Sequence, residues 1–237
     1  MRLFNCRKTK DRATGLKSAA RAVKGGRLVV IPTDTVYGIG CDAFSHAAVR
    51  SLLAAKGRGR DMAPPVLIGS KRALDGVASK ISKSAKTLTE AFWPGPLTVI
   101  VPYTPTLTWD LGDADGTVAI RMPLHPLALE LLKETGPMAV SSANESGRPP
   151  AETAAEAKDQ LGADVAVYLE AGASEDNRPS TIVDCVADPP QVLREGVLTV
   201  EQIRKIVPEV LDTDGYGPGE RPEDREGEAS VTEETPA

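Results

Sequence analysis

The residues best suited to chemistry fall in four short clusters: Thr33-Asp34-Thr35, Thr117 with Arg121, Ser141-Ser142-Ala143-Asn144, and Pro179-Ser180-Thr181. Each stands beside a short apolar run that reads as a strand. Lys56, Arg58 and Arg194 add fixed positive charge. Hydroxyls, an amide and several cations can hold a polyphosphate together with a small polar substrate. Each cluster alone reads as a capped turn. Four of them at strand ends, with the cations, point to a polar site. Other chemistries lack their signatures. There is no nucleophile elbow, Walker A loop or HExxH pair. His46 and His125 have no sequence partner that would make a triad. Cys6, Cys41 and Cys185 are far apart and form no CxxC pair, so they read as buried, reduced thiols.

Elements that would position these groups can be read in order. Leu28-Val29-Val30-Ile31 is a buried strand ended by Pro32, and the polar stretch after it reads as a turn or helix start. Before it, Leu16, Ala19, Ala20 and Val23 recur at helical spacing, stopped by Gly25-Gly26. Ser45 can cap a helix to Lys56. Pro65–Ile68, Leu97–Val101, Thr117–Arg121 and Met138–Val140 read as strands. So do Val165–Leu169, Thr181–Val183 and Val192–Leu193. Helices are expected over Ser82–Phe92, Pro126–Thr135, Ala151–Leu161 and, capped by Thr199, Val200–Val207. Strands and helices alternate without strict βαβ regularity, so the expectation is an α/β domain with a twisted mixed sheet.

The chain has 237 residues and suits one large domain plus a tail. Aromatics are only 4%, so the core must be built mainly from Val, Leu, Ile and Ala. No run of 18 apolar residues suggests a membrane span, and the first residues do not resemble a signal peptide. A cytoplasmic protein is expected. The net charge of −5 is uneven: from Glu209 onward there are ten acidic and two basic residues, leaving 26 basic and 23 acidic before it. Residues 1–208 are therefore expected to form the domain and 209–237 a disordered acidic tail. A chain ending near Val210 should then keep its fold.

The motifs "PTDTVYGIG", "KGR", "FWPGPLT", "VAIRMP", "SSANESG", "PSTIVD" and "LREG" occur in the order found in the YrdC/TsaC family, from about Gly25 to Val207. The chain resembles that family's short, single-domain members. The resemblance implies a twisted mixed sheet with flanking helices around a large, positively charged cavity. It implies a nucleotidyltransferase that makes L-threonylcarbamoyl-AMP and pyrophosphate from L-threonine, bicarbonate and ATP, with Mg²⁺ held mainly by the ATP phosphates and no side-chain metal ligand. Downstream machinery would pass the threonylcarbamoyl group to the adenosine beside the tRNA anticodon.

By position, the resemblance places Thr35, Arg121 and Ser180 at threonine. It places Lys56, Arg58, Met62, Thr117, Ser141, Ser142, Asn144 and Arg194 at ATP, with Lys56 and Arg58 as the catalytic cations. The family often has Asn and His where Met62 and Leu67 stand, and Pro where Val140 stands. A weak, anionic carbamate meeting an anionic α-phosphate needs cations and positioning more than a base. Two rival readings exist. One is a module that binds tRNA or double-stranded RNA on a basic concave surface without catalysis. The other is a carbamoyltransferase-type domain, against which the absence of CxxC pairs counts.

Overall fold

The computed structural model describes residues 1–174 and 176–221. The first half contains β1 (Arg2–Asn5), α1 (Thr9–Lys24), β2 (Leu28–Ile31), β3 (Gly38–Asp42), α2 (His46–Lys56), β4 (Val66–Leu67), α3 (Arg72–Val77), α4 (Lys83–Phe92) and β5 (Leu97–Pro102). The second contains β6 (Thr117–Arg121), α5 (Pro126–Thr135), β7 (Met138–Ser142), α6 (Ala154–Leu161), β8 (Val165–Glu170), β9 (Thr181–Asp184), β10 (Gln191–Arg194) and α7 (Val200–Arg204). All ten strands join one sheet in the order β1-β8-β2-β3-β7-β4-β6-β5-β9-β10. Parallel and antiparallel pairs mix: β2 runs parallel to β8 but antiparallel to β3, and β5 parallel to β9 but antiparallel to β6. This is the expected α/β class.

Strand alternation builds a core on each face of the sheet. Leu28 and Val30 of β2 join the larger core, whereas Val29 and Ile31 join the smaller one with Leu16, Ala19 and Val23 of α1 and Leu127 and Leu131 of α5. Each such fully buried aliphatic side chain contributes about 1.5–3 kcal/mol relative to exposure. Side-chain caps fix the helix starts. Ser45 accepts from Ala48 N–H at 3.3 Å, and Thr199 forms a reciprocal box with Gln202. The three cysteines are free and buried, which pushes the Cys41 and Cys185 thiols up to about 12. No helix among the described residues is long and apolar enough to cross a membrane.

The short helix α3 was not expected, and three further features depart from the sequence expectation. The stretch after β2 starts no helix. Residues 32–37 turn back, and β3 pairs antiparallel with β2. The strand Gly38-Ile39-Gly40-Cys41-Asp42 is glycine-rich, which hides it from propensity. The glycines have a cause: a Cβ at Gly38 would lie 2.6 Å from Val140 Cγ1, and one at Gly40 2.7 Å from Val140 Cγ2. The N-terminal strand β1 was also unexpected; it pairs with β8 at the sheet edge.

The third departure is the tail boundary. Residues 209–221 are not a solvated end. Leu211 bridges to Gln191, and Val192 N–H donates to Leu211 O at 2.9 Å. Asp212 is 2% exposed and accepts from Asp214 N, Tyr216 N and Arg221 Nε. Arg204 of α7 donates to Val210 O and Tyr216 O. The expectation failed because the acidic residues were read as solvated, whereas Asp212 is the hub of a turn. The remainder of the expected tail, 222–237, lies outside the described residues. A chain ending at Val210 should lose about 2 kcal/mol, seen as a fall of roughly 4–8 °C in Tm. A chain ending at Arg221 should melt above the one ending at Val210; equal melting of both truncations would show that 211–221 adds nothing.

Candidate functional site

The loop after β2 is held by its own threonines. Thr33 Oγ1 donates to Val36 O at 2.6 Å, accepts from Thr35 N–H at 3.2 Å, and lies 3.0 Å from Thr35 Oγ1. This places Thr35 and Asp34 against Arg121, the last residue of β6. Arg121 is 6% exposed. It donates from Nε to Gly95 O at 3.0 Å, from Nη1 to Thr35 Oγ1 at 2.8 Å, and from Nη2 to Asp34 Oδ1 at 2.6 Å. Asp34 Oδ1 also accepts from Leu124 N–H at 2.9 Å. A guanidinium has five N–H groups, so one remains on each terminal nitrogen. Burial pushes the Arg121 pKa down by more than the Asp34 carboxylate raises it, and a guanidinium still keeps its charge in a protein.

These residues wall a cavity of about 310 Å³. Around Arg121 it is lined by Thr33, Thr35, Thr98 and Ser180. Thr98 Oγ1 and Ser180 Oγ are 2.7 Å apart. Val36, Leu67, Val140 and Pro65 supply an apolar wall. Arg58, Ser141, Ser142 and Arg194 line the rest. Arg58 donates to Ser141 Oγ at 3.1 Å, and Arg194 donates to Ser180 O from both Nε and Nη2. Burial, then repulsion from Arg121, lowers the Arg194 pKa. Three guanidiniums thus face one cavity that no described Asp or Glu lines, with only Asp34 behind Arg121. The arrangement suits anions.

Of the residues expected at the site, Thr35, Arg58, Arg121, Ser141, Ser142, Ser180 and Arg194 meet at this cavity. Four do not. Lys56 is 1% exposed and lies outside the cavity lining. Its ammonium donates to Ser142 O at 2.6 Å, to Asn144 Oδ1 at 3.0 Å and to Asn144 O. The direct phosphate contact expected of Lys56 is therefore replaced by an anchor beneath the Ser141–Asn144 segment. Asn144, expected at ATP, is likewise buried. Its Nδ2 donates to Glu145 O and Arg148 O, closing the turn after β7. Met62 is 47% exposed and lies away from the cavity. Thr117 sits at the other end of β6, where Oγ1 donates to Ala114 O and lines a separate depression. Arg121 lies four residues further along the strand than Thr117, about 13 Å of rise.

Asp34, Thr33 and Thr98 belong to the site but were not singled out as contacts. Thr98 carried a readable signal: Leu97, Val99 and Val101 are fully buried and apolar, and Thr98 interrupts that run with a hydroxyl. Asp34 stood in the Thr33-Asp34-Thr35 cluster, but nothing in sequence pairs it with Arg121, 87 positions away.

A family model for Sua5/YciO/YrdC, described as "Telomere recombination", matches residues 21–196. The chain belongs to this family. A Mycobacterium tuberculosis relative, provisionally named a threonylcarbamoyl-AMP synthase, is 54% identical over 204 residues. The match covers 86% of this chain and 94% of the relative. The Bacillus subtilis threonylcarbamoyl-AMP synthase is 38% identical, over 81% of this chain and 56% of its own. Among solved structures, Pyrococcus abyssi Sua5 complexed with L-threonine superposes with a TM-score of 0.80 at 34% identity, covering 83% of this chain and 58% of that one. The large mixed sheet with flanking helices thus matches the fold of the Pyrococcus abyssi Sua5 structure.

Proposed function

We propose that this protein is an L-threonylcarbamoyl-AMP synthase, taking L-threonine, bicarbonate and ATP to threonylcarbamoyl-AMP and pyrophosphate, the first step of tRNA threonylcarbamoyladenosine synthesis. The observation that carries the reading is Arg121: a buried guanidinium with two uncommitted N–H groups, ringed by hydroxyls, at a cavity that Arg58 and Arg194 also line. Two parallel N–H groups suit a carboxylate, which assigns the amino-acid carboxylate to Arg121. Thr35 and Ser180 offer hydroxyls to the rest of the amino acid, and Leu67, Val36 and Val140 offer an apolar wall for its methyl group. The Pyrococcus relative's capture as an L-threonine complex supports this substrate.

The amine of threonine and bicarbonate condense to a carbamate with loss of water. A carbamate oxygen then attacks the α-phosphorus, the α–β bridging bond breaks, and pyrophosphate leaves. Both partners are anionic, so the chain's task is to neutralise and align them. Arg58, Arg194, Ser141 and Ser142 are assigned to the phosphates, and Lys56 acts beneath them by holding the Ser142 and Asn144 carbonyls. Mg²⁺ accompanies ATP in this reading. Among the described residues no three His, Cys, Asp or Glu gather as ligands, and in this reading the ATP phosphates would hold the ion. When bound, it offsets charge on the departing pyrophosphate.

Incubation with ATP, Mg²⁺, bicarbonate and threonine tests the reaction. Pyrophosphate release should require both threonine and bicarbonate; release that ignores either would reject the synthase. Arg58→Ala and Arg194→Ala should each raise the ATP KM tenfold to a hundredfold, about 1.5–3 kcal/mol for a charged hydrogen bond. Steady-state kinetics with threonine saturating would check this. An equal rise in threonine KM would move those cations out of the phosphate site.

A further inference from the structure

Glu170 ends β8, and three separate segments converge on its carboxylate. Oε2 accepts from Ala154 N–H, at the start of α6, at 2.9 Å. Oε1 accepts from Gly172 N–H at 2.7 Å, in the turn that follows β8. The Tyr37 hydroxyl lies 3.1 Å from the same oxygen and 2.6 Å from Gly172 O, so its one proton is shared between them. It also accepts from Ala171 N–H at 3.0 Å. Tyr37 is 1% exposed, and burial pushes its phenol pKa up, so it stays a donor. Such groups are costly to bury unless they are hydrogen-bonded. Here both are bonded, and neither lines the cavity that holds Arg121.

This hub lies between the two halves of that cavity. Tyr37 closes the loop that carries Thr33 and Thr35 to Arg121, and its backbone O accepts from Ala143 N–H, next to Ser142, at 2.8 Å. A carboxylate at the start of α6 suits the helix dipole and holds one of its unpaired N–H groups. α6 in turn reaches back to the chain that leaves Asn144. Gln160 Oε1 accepts from Glu145 N–H at 3.2 Å, and Gln160 Nε2 donates to Pro149 O at 3.3 Å. Pro150, the next residue, lines the cavity. Ser174 N–H donates to Glu152 O at 2.9 Å, a second tie between the turn after β8 and the same chain.

We propose that Tyr37 and Glu170 are positioning residues that set the threonine half of the cavity in register with the phosphate half, so that the carbamate oxygen meets the α-phosphorus in line. The proposal rests on the synthase reading, in which neither residue touches a substrate. Each half keeps its own binding groups, Arg121 with Asp34 on one side and Arg58 with Ser141 on the other. Losing the hub should therefore leave each substrate bound and spoil their alignment. A misplacement of about 1 Å can cost on the order of 100-fold in rate. A tie that served only the fold would change stability and leave kcat alone.

The test is steady-state pyrophosphate release by the full chain, with melting curves on every variant. Tyr37→Phe removes the hydroxyl alone. Glu170→Gln puts an N–H donor where only donors converge. Each should lower kcat about tenfold to a hundredfold, with the threonine and ATP KM values within about threefold of wild type. Tyr168→Phe is the control. Tyr168 is fully buried on β8, and its hydroxyl donates to Gly162 O at 2.7 Å, just past the far end of α6. Losing that bond should lower Tm about as much as Tyr37→Phe does and leave kcat unchanged. Rates are read well below the lowest Tm of the set. Values of kcat within about threefold of wild type in both Tyr37→Phe and Glu170→Gln would overturn the proposal. So would an equal fall in kcat in Tyr168→Phe, or KM values that rise as much as kcat falls. Wild-type release that ignores threonine or bicarbonate would reject the synthase reading itself. Release that needs both, with unaffected variants, would reject the hub alone.

Discussion

Arg121→Lys is expected to raise the threonine KM tenfold to a hundredfold while the ATP KM barely moves. Lysine keeps the charge opposite Asp34 but has no planar pair of donors for a carboxylate. It also loses the fixed bonds to Gly95 O and Thr35 Oγ1, so the ring of hydroxyls loosens. The loss corresponds to about 1–3 kcal/mol of transition-state binding. The Asp34 pair gives Arg121 a second, structural duty, and the two duties separate by variant. Arg121→Met removes the cation and leaves a carboxylate that is 88% buried without its partner. That should cost about 3–5 kcal/mol of stability. The Lys variant should lose far less stability than the Met variant. Melting curves and steady-state kinetics on both decide the matter. A lower Tm with unchanged threonine kinetics in the Lys variant would confine Arg121 to holding the fold.

Lys56→Met should lower kcat at least a hundredfold and raise the ATP KM, although Lys56 lines no part of the cavity. Its ammonium gathers the carbonyls of Ser142 and Asn144 and the Asn144 side chain. Without it those buried acceptors lose their donor, at about 1–3 kcal/mol each, and the segment carrying Ser141 relaxes. Burial, then the nearby Arg58 cation, pushes the Lys56 pKa down to about 8 from 10.5. The signs of two pH effects follow. The folded protein loses this proton as pH rises through about 8, so turnover that needs the anchor should fall there. The unfolded chain still holds the proton between about 8 and 10.5, so this group's contribution to stability rises over the same window. A pH profile of kcat with a descending limb near 8, opposed by no loss of Tm, is the expected signature. Normal ATP kinetics in Lys56→Met would remove Lys56 from the site altogether.

Local rules made much of the fold legible. Ser45 and Thr199 cap where a short hydroxyl precedes an apolar period, and Pro126 and Gly136 bracket α5 as their backbone limits require. What escaped was set by distant packing. The strand β3 is written in glycines because Val140 leaves no room for a Cβ, a reason that lies about a hundred residues away. The turn at Asp212 looked like solvated acid until Arg221 and two backbone amides were seen to converge on it. At the site, Thr35, Arg121, Ser141 and Ser180, which motif order had grouped, line one cavity. Motif order did not show depth. Lys56 and Asn144 carry the right chemistry but face each other beneath the site, and Thr117 is on the correct strand at the wrong end.

The most direct measurement of the central claim compares L-threonine with L-threoninol, which keeps the amine, hydroxyl and methyl groups but has an alcohol in place of the carboxylate. The amine can still condense with bicarbonate, so only the group assigned to Arg121 is missing. Pyrophosphate release at saturating ATP should have a kcat/KM at least about 1,000-fold lower with threoninol, as for a site built to bind a polar group that the analogue lacks. Threoninol supporting release within about tenfold of threonine would contradict the account, because Arg121 would then not be holding the carboxylate.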